Sequence, residues 1–435
     1  MARSKTTPVR STLREVLGPQ RIKSAAKQHK VVRRQRKLNV FLLVWTLVLG
    51  FQVGAQRTLT GLRQVYQRAA SHTIVPSAFY DRLNGRMAKL LRRLAQDTLA
   101  AQPDGAKMPE GVLAGFKELL AIDASVLRLH DLLSPAFAAC RTNHTKAAAK
   151  LHVVMNVLDG SPRRVKLTSE RTGDGTPWKR VGQWVRGRLM LFDLGYYSFH
   201  LFDRIEANGG FFVSRAKRNF NPLIVGVHRK WRGRAIEVVG QRLQDILPLL
   251  QREVLDVEVE VGFKKRVYNG KRSTKRRTFR LVAVRNDETG VYHLYITNVP
   301  AERLPAEDIA QTYALRWQVE ILFKAMKSHG HLDQLPSSKR CVVECLVWAS
   351  VLATLVSQAL YREVRKVVAA RRHMPILRWA TIVSRCATDL LLLVARRASP
   401  ATDQLLWRQL LREAPDPNIS RRDRAIRTVP VLAGG

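Results

Sequence analysis

The sequence predicts an α/β protein whose core is interrupted by a β-rich insertion and flanked by helical N- and C-terminal regions. Three observations carry that expectation. Two apolar segments, Leu119–Asp123 and Leu189–Asp193, read as buried strands that each end in a carboxylate. The stretch from about 223 to 300 alternates like antiparallel strands, and residues 305–329 read as one amphipathic helix.

In chain order, residues 1–37 are basic and acid-poor and are expected to form a disordered arm that contacts DNA. Residues 38–110 read as a helical DNA-binding domain. Within it Val40–Phe51, preceded by Arg33, Arg34, Arg36 and Lys37, resembles a membrane anchor, and Cys345–Leu355 is a second apolar run. Both are shorter than the roughly 20 residues a span requires, so both are read as buried helices and no membrane partner is expected. Ser77, after Val75-Pro76, is placed to cap a helix carrying Tyr80, Arg82, Asn84, Arg86 and Lys89. Such a helix suits base reading in a helix-turn-helix, and it also suits an ordinary surface helix.

The first part of the core is expected over 111–222. After the strand at 119–123, Lys150–Leu158 and Arg163–Ser169 read as strands joined through the Asp159-Gly160 turn, Trp178–Arg188 as a helix, Tyr196–Ala207 as a helix and Gly210–Arg215 as a strand. The insertion at 223–300 offers strands Val254–Phe263, Arg277–Val284 and Val291–Thr297. Tyr268-Asn269-Gly270 marks a turn in a run dense in Lys and Arg, a basic hairpin suited to a phosphate backbone. The core resumes over 301–335, and 336–435 is expected to be helical with a basic, Pro-rich tail.

The 305–329 helix has Pro305 in its first turn, Glu307 and Asp308 where the macrodipole favours anions, and Lys327 and His329 just before Gly330. At about 100° per residue, with Tyr313 at zero, Arg316 falls near 300°, Lys327 near 320° and Glu320 near 340°. Leu315, Val319, Leu322, Phe323 and Met326 occupy a separate arc between about 180° and 280°. One carboxylate flanked by two cations and a phenol is a phosphate-handling surface with a metal ligand in its middle; an ordinary i,i+4 Arg316–Glu320 ion pair is the bland alternative.

Charge favours the first reading. Lys and Arg number 75 against 34 Asp and Glu, a formal net charge of +41, and a polycation of that size points to nucleic acid bound through phosphate neutralisation. Cys140, Cys341, Cys345 and Cys386 lack CxxC pairs and zinc spacing, and read as reduced, buried thiols of a cytosolic protein. Asp123, Asp193 and Glu320 then supply the oxygen ligands of a pair of hard divalent cations able to activate one oxygen and stabilise another in an in-line phosphoryl displacement. Asp159 competes as a ligand but suits its Asp-Gly turn. His329 and His331 read as surface or capping residues, because Mg²⁺ prefers oxygen.

Tyr313-x2-Arg316-x3-Glu320-x6-Lys327 reproduces the Y-R-E-K signature of a large group of DDE transposases of bacterial insertion sequences. Leu120-Ala121-Ile122-Asp123-Ala124-Ser125 resembles that family's first-aspartate segment, and Asp193-Leu194-Gly195-Tyr196 its second, D-x-G-Y or D-x-G-F. The resemblance covers about 115–335 and implies a ribonuclease-H-like fold. It also implies Mg²⁺-dependent cleavage and strand transfer, with two ions replaceable by Mn²⁺, at the ends of a mobile element. Carried over, Asp123, Asp193 and Glu320 hold the metals, while Tyr313, Arg316 and Lys327 grip phosphates near the cleaved terminus. Trp317 either supports an unstacked base or packs. The implied partners are double-stranded DNA, as element ends and target, and a second copy of the chain on DNA; the implied location is the cytoplasm, at the nucleoid. A degenerate DNA-binding relative and a metal-dependent endonuclease without strand transfer are the rival readings.

Overall fold

The computed structural model describes residues 8–31, 38–52, 58–102, 109–140, 145–228, 237–264, 273–368 and 373–417. The expected Tyr268-Asn269-Gly270 turn and the tail beyond 417 lie outside them. Nine strands form one mixed sheet: β1 Leu119–Leu129, β2 Ala147–Asn156, β3 Pro162–Ser169, β4 Leu189–Phe192, β5 Phe211–Arg215, β6 Leu223–Val227, β7 Val254–Lys264, β8 Thr274–Arg285 and β9 Tyr292–Thr297. Their spatial order is β3-β2-β1-β4-β5-β9-β8-β7-β6. The β1–β4 and β4–β5 pairs are parallel and the remaining pairs antiparallel.

The insertion is therefore no separate module. Strand β9 pairs with β5 through Val213↔Thr297, and β8, β7 and β6 extend the same sheet outward. The first strand also differs from expectation: β1 runs through Asp123 to Leu129, with Asp123 opposite Val153 of β2. What ends near Asp123 is its parallel neighbour β4, so the carboxylate sits where β1 loses one of its two partners. Residues 178–188 are not one helix but two 3₁₀ turns, Thr176–Trp178 and Gln183–Val185. Gly182 and Gly187 interrupt the segment, the latter at φ +71°.

Fourteen helices are described: α1 Pro8–Val16, α2 Pro19–Gln28, α3 Val40–Trp45, α4 Leu59–Ala70, α5 Pro76–Tyr80, α6 Gly85–Ala100, α7 Phe199–Ala207, α8 Leu243–Ile246, α9 Ala306–Ala314, α10 Gln318–Ser328, α11 Arg340–Val367, α12 Ile376–Arg385, α13 Ala387–Val394 and α14 Pro400–Glu413. The expected disordered arm is thus corrected over 8–28, where two helices and the turn between them bury Val9, Leu13, Leu17 and Ile22. Net charge concealed an apolar stripe at helical spacing. The helix expected from Ser77 breaks after Tyr80, because the Asn84 side chain accepts from the backbone N–H of Arg86 and Met87 and starts α6 afresh.

The two terminal helical regions share one core. Helix α6 lies along α11, and α1 packs against α11, α13 and α14, with Arg10 Nε 3.4 Å from Asp403 Oδ2. Leu43, Leu90, Leu346 and Leu119 belong to the same continuous apolar cluster. The Cys345–Leu355 run lies inside the 28-residue α11, which is long and apolar enough to cross a membrane; 78% of its most apolar window is buried inside the fold. Gly330 allows α10 to end against α11: a Cβ there would lie 2.5 Å from the Met326 carbonyl oxygen and 2.8 Å from Ser350 Oγ.

A buried ionic cluster fixes the pairing at the sheet's centre. Glu118, immediately before β1 and 1% exposed, accepts from Arg188 Nε at 2.6 Å, lies 2.7 Å from Arg163 Nη2 and accepts from Asn156 Nδ2 at 3.1 Å. Replacing Glu118 with alanine removes the carboxylate that Arg163 and Arg188 share, leaving Asp159 3.4 Å from Arg163 as the carboxylate in the cluster, and is expected to cost about 3–5 kcal/mol of stability. Urea unfolding of the variant reads this directly; an unchanged midpoint would contradict the role assigned to Glu118.

Candidate active site

Side chains alternate across the central strands. Leu119 and Ala121 of β1, with Leu189 and Leu191 of β4, face the core that contains the helices; Leu120, Ile122, Met190 and Phe192 face the opposite, aromatic-rich core. The parallel register runs from Leu119↔Leu189 to Ile122↔Phe192. One residue further on each strand, Asp123 and Asp193 continue the odd-numbered series and therefore share the helix-covered face. Neighbouring strands lie about 4.8 Å apart, so the register alone sets the two carboxylates side by side.

Helix α10 packs against β1 and brings Glu320 over that face. The expected 305–329 helix is in fact α9 and α10 joined by a 3₁₀ turn, Leu315–Trp317. Arg316 on that turn lies between the carboxylates: its Nη2 donates to Glu320 Oε1 at 2.7 Å, and its Nη1 is 3.8 Å from Asp123 Oδ2. The i,i+4 pair thus forms within a site rather than on a solvated face. The Arg316 guanidinium also lies over the Tyr313 ring, 5.8 Å from its centroid.

The electrostatics show a crowded anionic site. Burial pushes the Asp123 carboxyl up to about 6; the Ala124 N–H bonded to it at 2.7 Å and the Arg316 charge pull the other way, while Asp193 and Glu320 add to the rise. Burial works against the Arg316 charge, but the bond to Glu320 and the fields of Tyr313, Asp193 and Glu320 outweigh it and hold the guanidinium above its ordinary value. Tyr313 is buried and its phenol is pushed up to about 12, chiefly by burial, with the Arg316 charge pulling the other way.

Among the described residues no three His, Cys, Asp or Glu side chains close around one point as a metal cage. The donor set nevertheless fits a hard divalent cation: Asp123, Asp193 and Glu320 offer only oxygens, and burial and mutual repulsion oppose the charge on Asp123. Lys327, half-buried two turns beyond Glu320, makes no ion pair with these carboxylates. Trp317 is 46% exposed at the rim. Asp159 stays in its turn, accepting from the Ser161 N–H at 2.8 Å, and His329 bonds to Thr381.

Sequence reading missed two contributions. The Glu118–Arg188 clamp stands five residues before each aspartate, and that equal offset is visible in the chain. Asp174, paired with Lys150 at 2.8 Å, approaches Gly195 so closely that a Cβ there would lie 3.0 Å from its Oδ2. Asp174 comes from the loop after β3, where no periodicity marks it.

The chain belongs to the transposase DDE domain family, whose model matches residues 114–356, more than half of its length. It is a transposase, a protein of DNA transposition, as the Y-R-E-K resemblance implied. Along most of its length it is similar to transposases of insertion sequences. The transposase for insertion sequence element IS231F of Bacillus thuringiensis subsp. israelensis is 21% identical over 411 residues, covering 86% of this chain and 84% of that relative. The transposase for IS1151 of Clostridium perfringens is 22% identical over 377 residues, covering 80% and 79%. Among solved structures, the piggyBac transposase in a synaptic complex with hairpin DNA aligns with a TM-score of 0.49 at 11% identity, covering 96% of this chain and 88% of that one.

The raised Asp123 carboxyl has a consequence for stability. Its ordinary value is 3.8 and its folded value about 6, so the stability it contributes is present below pH 4 and is lost as pH rises through 6. Asp123→Asn is therefore expected to stabilise the metal-free protein at pH 7.5 by about 1–3 kcal/mol, with the gain vanishing near pH 4. Paired thermal melts in chelator at the two pH values measure it.

Proposed function

We propose that the protein is an active transposase built on a ribonuclease-H-like core, in which Asp123, Asp193 and Glu320 hold divalent cations, two Mg²⁺ replaceable by Mn²⁺, and catalyse phosphodiester cleavage and strand transfer. The family generally works with divalent metal ions. The observation that carries the reading is the parallel β1–β4 register, which sets Asp123 beside Asp193 under the helix that brings Glu320. Bound there, such cations supply an activated attacking oxygen and stabilise the leaving oxygen of an in-line displacement.

The protein's own side chains do the remaining work. Arg316, already between Asp123 and Glu320, is positioned to engage a phosphate, and its planar fork suits bidentate contact. Tyr313 buttresses that guanidinium from below. Lys327 extends the cationic row along α10, about 10 Å beyond Glu320, and so contacts the strand away from the reacting centre. Trp317 presents an exposed indole beside the site, suited to stacking on an unpaired base. Arg86 and Lys89 on the exposed side of α6 supply further duplex contacts, and the +41 charge makes binding fall steeply with salt. The partners in this reading are element ends and target DNA, bound by a homodimer, in the cytoplasm at the nucleoid.

Two substitutions separate the roles. Glu320→Gln keeps size and helical fit but removes an anionic ligand, and is expected to lower Mg²⁺-dependent cleavage of DNA carrying the element's ends by at least about 100-fold, while DNA binding persists or tightens. Lys327→Ala removes only a cation and is expected to slow cleavage by about 10- to 100-fold without loss of metal binding. Gel analysis of cut ends with filter binding on the same samples tests both. Cleavage by Glu320→Gln at the unmutated rate, or binding without cutting by the unmutated protein in Mg²⁺ and Mn²⁺, would leave a DNA-binding protein without this activity.

A further inference from the structure

The guanidinium of Arg316 stands among the oxygens that a cation bound by the three carboxylates would use. Its Nη2 donates to Glu320 Oε1 at 2.7 Å, the length of a full charge-assisted bond, and its Nη1 lies 3.8 Å from Asp123 Oδ2. Asp193 is near enough for its charge to act on the same guanidinium. One side chain therefore serves as counter-charge to all three acids. The cluster is open to solvent: the side chains of Arg316, Asp123 and Glu320 are 14%, 24% and 34% exposed, so ions and phosphates reach it.

Two consequences follow from this placement. An oxygen of Glu320 that accepts from Arg316 is engaged, and a fixed positive charge this close to Asp123 and Glu320 repels a divalent cation. The same bond is open to exchange. An i,i+4 pair with a third of its carboxylate exposed is a weak tie, whereas a phosphodiester offers the planar fork two anionic oxygens. Lys324, one turn beyond Glu320 on α10 and exposed, carries the same charge but makes no ion pair with Glu320.

We infer that Arg316 is a gate coupling the two ligands of this site: in the free protein it occupies the carboxylates and holds divalent cations off, and a DNA phosphate that takes its fork frees the carboxylates for the metal. The inference rests on the reading that Asp123, Asp193 and Glu320 hold divalent cations, and it adds an order in which DNA precedes tight metal binding. Such coupling is reciprocal. By whatever factor DNA raises the affinity for the metal, the metal raises the affinity for DNA.

The test reads metal binding and not cleavage. Mn²⁺ is titrated calorimetrically into the full-length, metal-free protein, alone and with a short DNA duplex of arbitrary sequence, and the heat of Mn²⁺ with the duplex alone is subtracted. The unmutated protein is expected to bind Mn²⁺ about tenfold more tightly with the duplex than without it. Arg316→Met keeps the length of the side chain and removes its charge. Without DNA it is expected to bind Mn²⁺ at least about tenfold more tightly than the unmutated protein, and to gain less than about threefold from the duplex. Arg316→Lys keeps a cation among the acids, and with it the fold, but loses the fork, and is expected to bind Mn²⁺ about threefold more tightly without DNA. Lys324→Ala is expected to match the unmutated protein.

The inference is overturned if Arg316→Met and Arg316→Lys both bind Mn²⁺ as the unmutated protein does. It is equally overturned if Lys324→Ala gains as much as Arg316→Met, or if the duplex raises Mn²⁺ affinity as much in Arg316→Met as in the unmutated protein. Asp123→Asn separates this failure from that of the underlying reading. If it abolishes Mn²⁺ binding, the metal sits at the carboxylates and a failed Arg316 comparison strikes the gate alone; if it leaves Mn²⁺ binding untouched, both fall.

Discussion

The Glu118–Arg188 pair is the interaction on which the alignment of Asp123 with Asp193 depends. A parallel pair of strands slips by one rung only if its hydrogen bonds and its side-chain alternation both give way, and a buried ion pair at the first rung makes that slip costly. Glu118 precedes β1 as Arg188 precedes β4, and the Leu189 N–H donates to the Glu118 carbonyl at 3.0 Å. Arg163 ties β3 to the same carboxylate. The clamp thus fixes three strands at one end, and four rungs later the same register delivers two aspartates to the other.

At that far end the logic reverses. Near Glu118 two arginines meet two carboxylates, Glu118 and Asp159; near Asp123 one cation faces three. The site is short of positive charge by construction, and burial holds its most crowded carboxyl far above the ordinary range. Such a deficit is unfavourable for folding and favourable for drawing cations, which is a common exchange of stability for function. Arg316 partly fills the gap from a 3₁₀ turn, where the backbone is tighter than in the helices on either side.

Much of this was legible in the sequence because it rests on local pattern. The apolar runs before Asp123 and Asp193, the Asp159-Gly160 turn with Gly160 at φ +70°, the alternating strands β7 to β9 and the Y-R-E-K spacing all announce themselves within a dozen residues. What stayed hidden is long-range. Nothing local shows that β9 pairs with β5 and makes the insertion part of the central sheet, or that β1 outlasts β4 beyond Asp123. Charge misled at the N-terminus, where four apolar side chains, Val9, Leu13, Leu17 and Ile22, determine the structure among many basic ones. Asp174 reaches the site from a loop, and only tertiary packing could reveal it.

The packing of α1 against α11, α13 and α14 links the first residues of the chain to nearly the last. During synthesis the helices α1 packs against here emerge only more than 300 residues downstream of it. Helix α2 meets α3 and α6, its neighbours in the chain, well before then, whereas α1 completes its packing only after the strands of the central sheet have emerged. A chain shortened before α11 therefore leaves α1 without the helices it packs against, so that damage in one region loosens another more than 300 residues away.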